Sequence, residues 1–256
     1  MSKVLIINAS IRNEKSHSRK LTQLFEENWK NKNPNYIFTH REVGLEEIPP
    51  INEKWIASAF IKPKERTLKN QSGVKFSDKL IKEFKEHNIY VIGTPMYNWS
   101  IPSGLKSYID QLMRINETWK FRSGVPDGDY VGLLKEKKMF ILSSRGDTGY
   151  GENEKNEHMN FQTTYLKFVF GIMGIEDIST ISLDNEEFGG EIFENSKIKI
   201  LPRNRTDLKL LPTIYISNSD LIIVMNSPKF SEFLIEVLTL SNGILSLQPE
   251  YLDKKT

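Results

Sequence analysis

A loop near the amino terminus combines serine hydroxyls with the start of a helix, a pairing that binds phosphate. It follows the apolar run Val4 to Ile7, and a helical pattern begins directly after it. A phosphate placed there meets unpaired backbone N–H groups and the positive end of the helix dipole, and hydroxyls donate further hydrogen bonds. The plain alternative is that a serine only caps the helix. The candidate residues are Ser10, Ser16, His17 and Ser18.

A second loop is aromatic and follows the apolar run Ile89 to Thr94. Large rings with few polar groups at a strand end are typical of a site for a planar heteroaromatic ligand. Burying one aromatic side chain stabilises by up to roughly 4 to 6 kcal/mol, so we expect some partner to cover these rings. The alternative is that Met96 and Trp99 fill the top of the core. The candidate residues are Pro95, Met96, Tyr97, Asn98 and Trp99.

A third loop is rich in glycine and follows the apolar run Met139 to Ser143. Glycine lets backbone N–H groups come close to a ligand, such as the polar pyrimidine edge of a flavin. Ordinary connecting loops have the same composition, so this loop is weak evidence when taken alone. The candidate residues are Ser144, Arg145, Gly146 and Asp147.

Composition and missing motifs exclude several other functions. Lys and Arg total 35 against 33 for Asp and Glu, so bulk charge favours neither nucleic acid nor a membrane surface. The 256 residues include no cysteine, and the four histidines lie far apart, so we expect no metal site. No apolar stretch reaches the roughly 18 residues of a membrane span, and we expect a cytoplasmic protein. The pair Glu186 and Glu187 is interpreted as a solvated face.

The order of elements predicts how these loops are positioned. Apolar runs alternate with helical patterns, which predicts an α/β protein with a doubly wound parallel sheet and helices on both faces. Ligands of such sheets bind beyond the carboxyl ends of the strands, where all three loops fall. The predicted strands are Lys3–Asn8, Tyr36–Arg41, Ile89–Thr94, Met139–Ser143 and Ile178–Leu183.

Four motifs in this order resemble those of the FMN-dependent NADH-azoreductases, which are relatives of the NAD(P)H quinone reductases. The resemblance runs from Met1 to about Leu183. The motifs are Ser10 with Ser16-His17-Ser18, Pro95-Met96-Tyr97-Asn98-Trp99 with Ile101-Pro102-Ser103, Thr118-Trp119-Lys120-Phe121, and Ser144-Arg145-Gly146.

The resemblance implies a flavodoxin-like fold with a five-stranded sheet in the order 2-1-3-4-5. It also implies bound FMN, NADH or NADPH as co-substrate, a planar quinone or azo acceptor, and a homodimer. The first loop would hold the FMN phosphate, Met96 to Trp99 would line the flavin ring, and Ser144 to Asp147 would hold the pyrimidine side. Trp119 and Phe121 would belong to the substrate pocket. The flavin would carry the chemistry, so no catalytic side chain is implied.

Two departures from the family pattern stand out. Asp147 replaces a usual glycine, and its charge would alter the redox properties of a nearby flavin. After residue 184 the match ends, which divides the chain into a flavin-binding domain, 1–184, and an atypical extension, 185–256. There we predict strands at Thr213–Ile216 and Leu221–Met225, as a lid or dimer contact, and a closing helix from Ser227. The alternative is an altered, partly disordered tail. An electron carrier or regulatory flavin-binding module, or a relic that has lost flavin, are the competing interpretations.

Overall fold

A parallel sheet lies at the centre of the computed structural model, which describes residues 2–122, 129–199, 213–216 and 221–224. Helices cover both of its faces, and two small hairpins lie outside it. In chain order the elements are β1 (Lys3–Asn8), α1 (His17–Lys32), β2 (Ile37–Arg41), α2 (Glu53–Ala59), α3 (Leu68–Lys85), β3 (Ile89–Pro95), α4 (Ser103–Leu112), β4 (Trp119–Phe121), β5 (Tyr130–Gly132), β6 (Lys138–Ser144), α5 (Thr163–Met173), β7 (Asp177–Leu183), α6 (Gly190–Lys199), β8 (Thr213–Ile216) and β9 (Leu221–Val224).

The sheet has five strands in the order β2-β1-β3-β6-β7, all parallel. This confirms the predicted order 2-1-3-4-5, because β4 and β5 form a separate two-stranded hairpin and leave the succession of strands in the main sheet unchanged. The register aligns Asn8 with Gly93, and Pro95 with Ser144. The carboxyl ends of β1, β3 and β6 are therefore neighbours at one edge of the sheet.

Alternate side chains of each strand enter two separate cores, as the period of two in a strand requires. On one face, Leu5 and Ile7 pack with residues of α3, α4 and α5. On the other face, Val4 and Ile6 pack with residues of α1 and with Phe193 of α6. The central strands are apolar throughout because both of their faces are covered.

A helix that was not predicted from the sequence follows β7. Helix α6 follows β7 at Gly190–Lys199, and Phe193 is only 8% exposed in the core that also holds Leu183. The sequence signal was weak because the apolar residues of this segment do not form a continuous stripe. The helix predicted from Ser227 lies outside the described residues, and the domain boundary at 184 stays a prediction.

The two hairpins and helix α5 complete the comparison of predicted and observed elements. The runs predicted after residue 212 form the antiparallel hairpin of β8 and β9. Helix α5 begins at Thr163, and Phe168 on it is 67% exposed. The hairpin of β4 and β5 was not predicted. Within the described ranges, no helix combines the length and apolar character needed to cross a membrane.

Candidate functional site

The three loops singled out in the sequence meet in one cleft of about 450 Å³ at the carboxyl edge of the sheet. Residues after β7 form its remaining side. Pockets for small ligands commonly have volumes of about 300 to 1,000 Å³, so the cleft is large enough for a cofactor. It is lined by Ser10, Arg12, Lys15, Ser16, His17, Pro95, Met96, Tyr97, Ser144, Gly146, Glu186 and Glu187.

The first loop ends at the amino terminus of α1. Ser16 is the helix cap, and its Oγ accepts a hydrogen bond from the Arg19 amide at 3.2 Å. Ser10 Oγ accepts one from the Arg12 amide at 3.1 Å. Ser18 is fully buried beneath the loop, with its Oγ 3.2 Å from that of Ser16. Ser10 and Ser16 also line the cleft, and their role in binding a phosphate stays a prediction.

Arg19 holds the first loop in shape, and sequence reasoning missed it. Its buried guanidinium donates to the carbonyl oxygen of Arg12 at 2.9 Å and to that of Ser10 at 3.0 Å. It also pairs with the carboxylate of Glu42 in the segment after β2. An arginine near a helix start normally faces water, so no pattern in the sequence indicated this role.

Basic and acidic side chains both lie at the amino terminus of α1. Arg12 Nη1 lies 3.2 Å from Glu186 Oε1, and His17 Nε2 lies 3.9 Å from the same oxygen. Burial lowers the pKa of His17, and the nearby Glu186 carboxylate partly opposes that shift. Glu186 and Glu187 thus line the cleft, and Glu187 is also exposed to solvent, as the sequence predicted. The clue available in the sequence was that they follow the end of another parallel strand.

The aromatic loop makes a tight two-residue turn. The amides of Tyr97 and Ser100 each donate to the other's carbonyl oxygen at 3.0 Å. Asn98 and Trp99 at its centre have φ values of 48° and 62°, the left-handed region that such a turn requires and that a bulky residue rarely adopts.

Only part of that loop faces the main cleft. Pro95, Met96 and Tyr97 line it, whereas Asn98 lines a neighbouring hollow and Trp99 is 53% exposed. Trp99 therefore does not fill the top of the core. Its contact with the flavin stays a prediction.

The third loop is held from below by a buried polar network. Arg145 donates to Gln162 Oε1 and to Thr163 Oγ1, each at 3.2 Å. Gln162 Nε2 donates in turn to the carbonyl oxygen of Thr94 at 3.3 Å. Ser144 accepts from the Met96 amide at 2.8 Å. The network therefore links the second and third loops into one rigid rim.

Two residues predicted at the pyrimidine side point elsewhere. The Arg145 guanidinium is buried in the network described above, and burial lowers its pKa while the Asp184 carboxylate opposes the shift. Asp147 is exposed, and its Oδ1 accepts from the Thr148 amide at 2.7 Å. Ser144 and Gly146 are the members of this loop that line the cleft. The flavin-binding roles of Arg145 and Asp147 stay predictions.

Trp119 and Phe121 lie on the hairpin of β4 and β5, and neither lines the main cleft of its own chain. Their rings contact each other and Tyr130, with centroids 5.0 to 5.5 Å apart. The hairpin is fixed on α5, since a Cβ on Gly132 would lie 2.2 Å from the backbone nitrogen of Gly174. It presents an exposed aromatic surface whose substrate role stays a prediction.

Comparison with known proteins decides the family. Residues 2–199 match the family model described as flavodoxin-like fold. FMN-dependent NAD(P)H:quinone oxidoreductase 1 of Pseudomonas aeruginosa is 37% identical over 197 residues, which are 77% of this chain and 93% of the relative. The chain belongs to the flavodoxin-like family. A second relative is FMN-dependent NADH:quinone oxidoreductase 1 of Trichormus variabilis. It is 40% identical to this flavodoxin-like protein, and the match covers 74% of the present chain and 87% of the relative.

Solved structures agree with this assignment. An azoreductase from Bacillus anthracis superposes on this flavodoxin-like protein with a TM-score of 0.67 at 28% identity, covering 78% of this chain and 93% of the other. An FMN-dependent NADH-azoreductase from the same species, in complex with FMN, gives a TM-score of 0.66 at 27% identity, with coverages of 78% and 96%. The resemblance predicted from four motifs is confirmed.

Proposed function

We propose that this flavodoxin-like protein is an FMN-dependent oxidoreductase that passes electrons from NADH or NADPH to quinones or azo compounds. The observation that carries the proposal is the convergence of three separate loops on one cleft. The candidate phosphate residues Ser10 and Ser16 and the side chains of Met96 and Tyr97 line the same cleft. The names of the quinone oxidoreductases and azoreductases that the chain resembles support the same activity.

The residues of the cleft fit FMN. The amides of His17 and Ser18 in the first turn of α1 have no acceptor within the helix, so they are available to a phosphate. Ser10 and Ser16 add hydroxyls, and Arg12 and Lys15 add positive charge. Charge-assisted hydrogen bonds contribute roughly 1.5 to 3 kcal/mol each, so a few hold a phosphate monoester firmly.

The chain's own residues bind and orient in this reaction. Pro95, Met96 and Tyr97 offer apolar surface to a planar ring, and Ser144 and Gly146 on the neighbouring loop add main-chain polar groups. When bound, FMN supplies the hydride and electron chemistry. The described residues contain no cluster of three or more potential metal ligands.

Purified protein reconstituted with FMN is expected to retain the yellow cofactor through gel filtration. Its visible flavin absorbance should then bleach when NADH or NADPH is added without oxygen, and should return when a quinone is added. Free FMN at the same concentration is the control. Protein that stays colourless after incubation with FMN contradicts the proposal. Bleaching only in the presence of a separate reductase supports the electron carrier instead.

We also propose that the protein is a homodimer joined in part through the β4–β5 hairpin. The exposed fractions of Phe121 and Tyr130 are 49% and 56%, and paired aromatic rings at a surface are typical of an interface. Analytical ultracentrifugation is expected to give twice the chain mass of 29.7 kDa. Replacing Phe121 with Ala should shift the equilibrium toward the monomer, whereas replacing the exposed Phe168 on α5 should not. A wild-type monomer at micromolar concentration contradicts this proposal.

A further inference from the structure

A carboxylate of the protein occupies the cationic corner of the cleft. Glu186 Oε1 lies 3.2 Å from Arg12 Nη1 and 3.9 Å from His17 Nε2. Both partners belong to the loop and helix terminus that would receive the FMN phosphate. An acidic side chain is unexpected there, because an anion site gains affinity from positive charge and loses it to negative charge nearby.

The backbone fixes Glu186 in this place. Its amide donates to the carbonyl oxygen of Arg145 at 3.0 Å, and the Glu187 amide donates to that of Gly146 at 3.1 Å. These two bonds continue the pairing of β6 with β7 beyond the strand ends. The segment therefore cannot swing out of the cleft without breaking main-chain hydrogen bonds. The Arg12–Glu186 pair can therefore break only by rotation of one of the two side chains, while the backbone of Glu186 stays beside the cleft.

We propose that Glu186 is a specificity-determining residue that competes with the FMN phosphate for Arg12 and His17. The proposal rests on the proposed binding of FMN. A phosphate monoester carries about −1.5 to −2 charges at pH 7, so its entry breaks the Arg12–Glu186 pair and brings two anions close together. Glu186 thereby weakens the preference for FMN over unphosphorylated riboflavin and keeps FMN exchangeable.

Another role for the same carboxylate makes the opposite prediction. A flavin also carries ribityl hydroxyls, and a carboxylate can accept hydrogen bonds from them. In that case Glu186 would contribute to the binding of FMN and riboflavin alike. The two flavins differ only in the phosphate, so comparing their affinities separates competition at the phosphate from contact with the ribityl chain.

The test replaces Glu186 with Gln, which keeps the shape of the side chain and removes its charge. Fluorescence titration with FMN and with riboflavin measures both dissociation constants in the full chain. We expect the Kd of FMN to fall about tenfold and that of riboflavin to change less than about twofold. The matched control is Glu191→Gln, an equal charge change at an exposed position of α6 outside the cleft lining. It should leave both affinities within about twofold of the wild type.

Each other outcome has a defined meaning. Unchanged or weaker FMN binding by the Glu186→Gln variant overturns the competition, and so does equal tightening of FMN and riboflavin. An equal gain in FMN affinity in the Glu191→Gln control also overturns it, because the effect would then come from bulk charge. If the wild type and both variants bind neither flavin, the proposed function itself fails. Thermal unfolding of the variants checks that they are folded.

Discussion

Replacing Arg19 with Ala is expected to lower the free energy of unfolding by about 2 to 4 kcal/mol and to weaken FMN binding about a hundredfold. The guanidinium is the shared partner of two carbonyl oxygens in the first loop and of the Glu42 carboxylate. Its removal leaves a partly buried anion and two loop carbonyls without their donor. The upper end of the range applies to fully buried pairs, and Glu42 is 29% exposed.

The loop geometry explains why binding suffers along with stability. By holding the carbonyl oxygens of Ser10 and Arg12, Arg19 keeps them away from a phosphate that they would repel. Urea unfolding measures the stability, and FMN titration measures the affinity. Lys20→Ala is the matched control, because Lys20 is the next residue of α1 and is exposed. Wild-type FMN affinity in a folded Arg19→Ala protein would contradict this account of the loop.

Replacing Gly44 with Ala is expected to displace the first loop, although Gly44 itself lies in the segment after β2. A Cβ at this position would lie 2.2 Å from the carbonyl oxygen of Ser10 and 2.7 Å from the carbonyl carbon of Ala9. These are main-chain atoms, so no side-chain rotation relieves the overlap, and the loop must shift. Overpacking of this kind costs about 1 to 3 kcal/mol. A displacement of about 1 Å at a binding site can reduce kcat/KM about a hundredfold.

The control for Gly44→Ala is the same substitution at Gly171 in α5, where an added Cβ meets no atom within 4 Å. Because alanine favours a helix, Gly171→Ala should raise the free energy of unfolding by about 0.5 to 1 kcal/mol and leave FMN binding unchanged. Denaturant melts and steady-state kinetics with NADH and a quinone measure both variants. Normal kcat/KM in the Gly44→Ala protein would show that the loop tolerates the shift.

The sheet was predictable because its physical signals are local. Strands covered on both faces are apolar throughout, and the alternation of such runs with helices leaves few arrangements for the chain. Once β1, β3 and β6 are parallel neighbours, the loops after Asn8, Pro95 and Ser144 must share an edge. The convergence of serine, aromatic and glycine-rich loops therefore followed from the sequence.

The details of the site depended on contacts between residues far apart in the chain. The Arg145 side chain hydrogen-bonds to Gln162 and Thr163 instead of lining the cleft. Glu186 lines the cleft and pairs there with Arg12, which lies 174 residues earlier in the chain. A local pattern carries no information about such partners, because any exposed arginine or glutamate has the same sequence appearance. The same holds for Phe193, whose burial against β7 decides that α6 closes the fold.

The sequence by itself determined the parallel sheet and the three loops that meet at its edge, whereas the order of the strands was implied by the family resemblance. Periodicity and strand-end position are properties of short segments, and hydrophobic burial enforces them. Only the tertiary structure decided which charged side chains face the cleft. That choice is made by long-range hydrogen bonds and ion pairs, whose partners come together after the sheet has formed. The first loop illustrates both kinds of information. Its serines were identified from their position in the sequence, whereas the role of Arg19 in holding the loop is evident only from the contacts of its side chain.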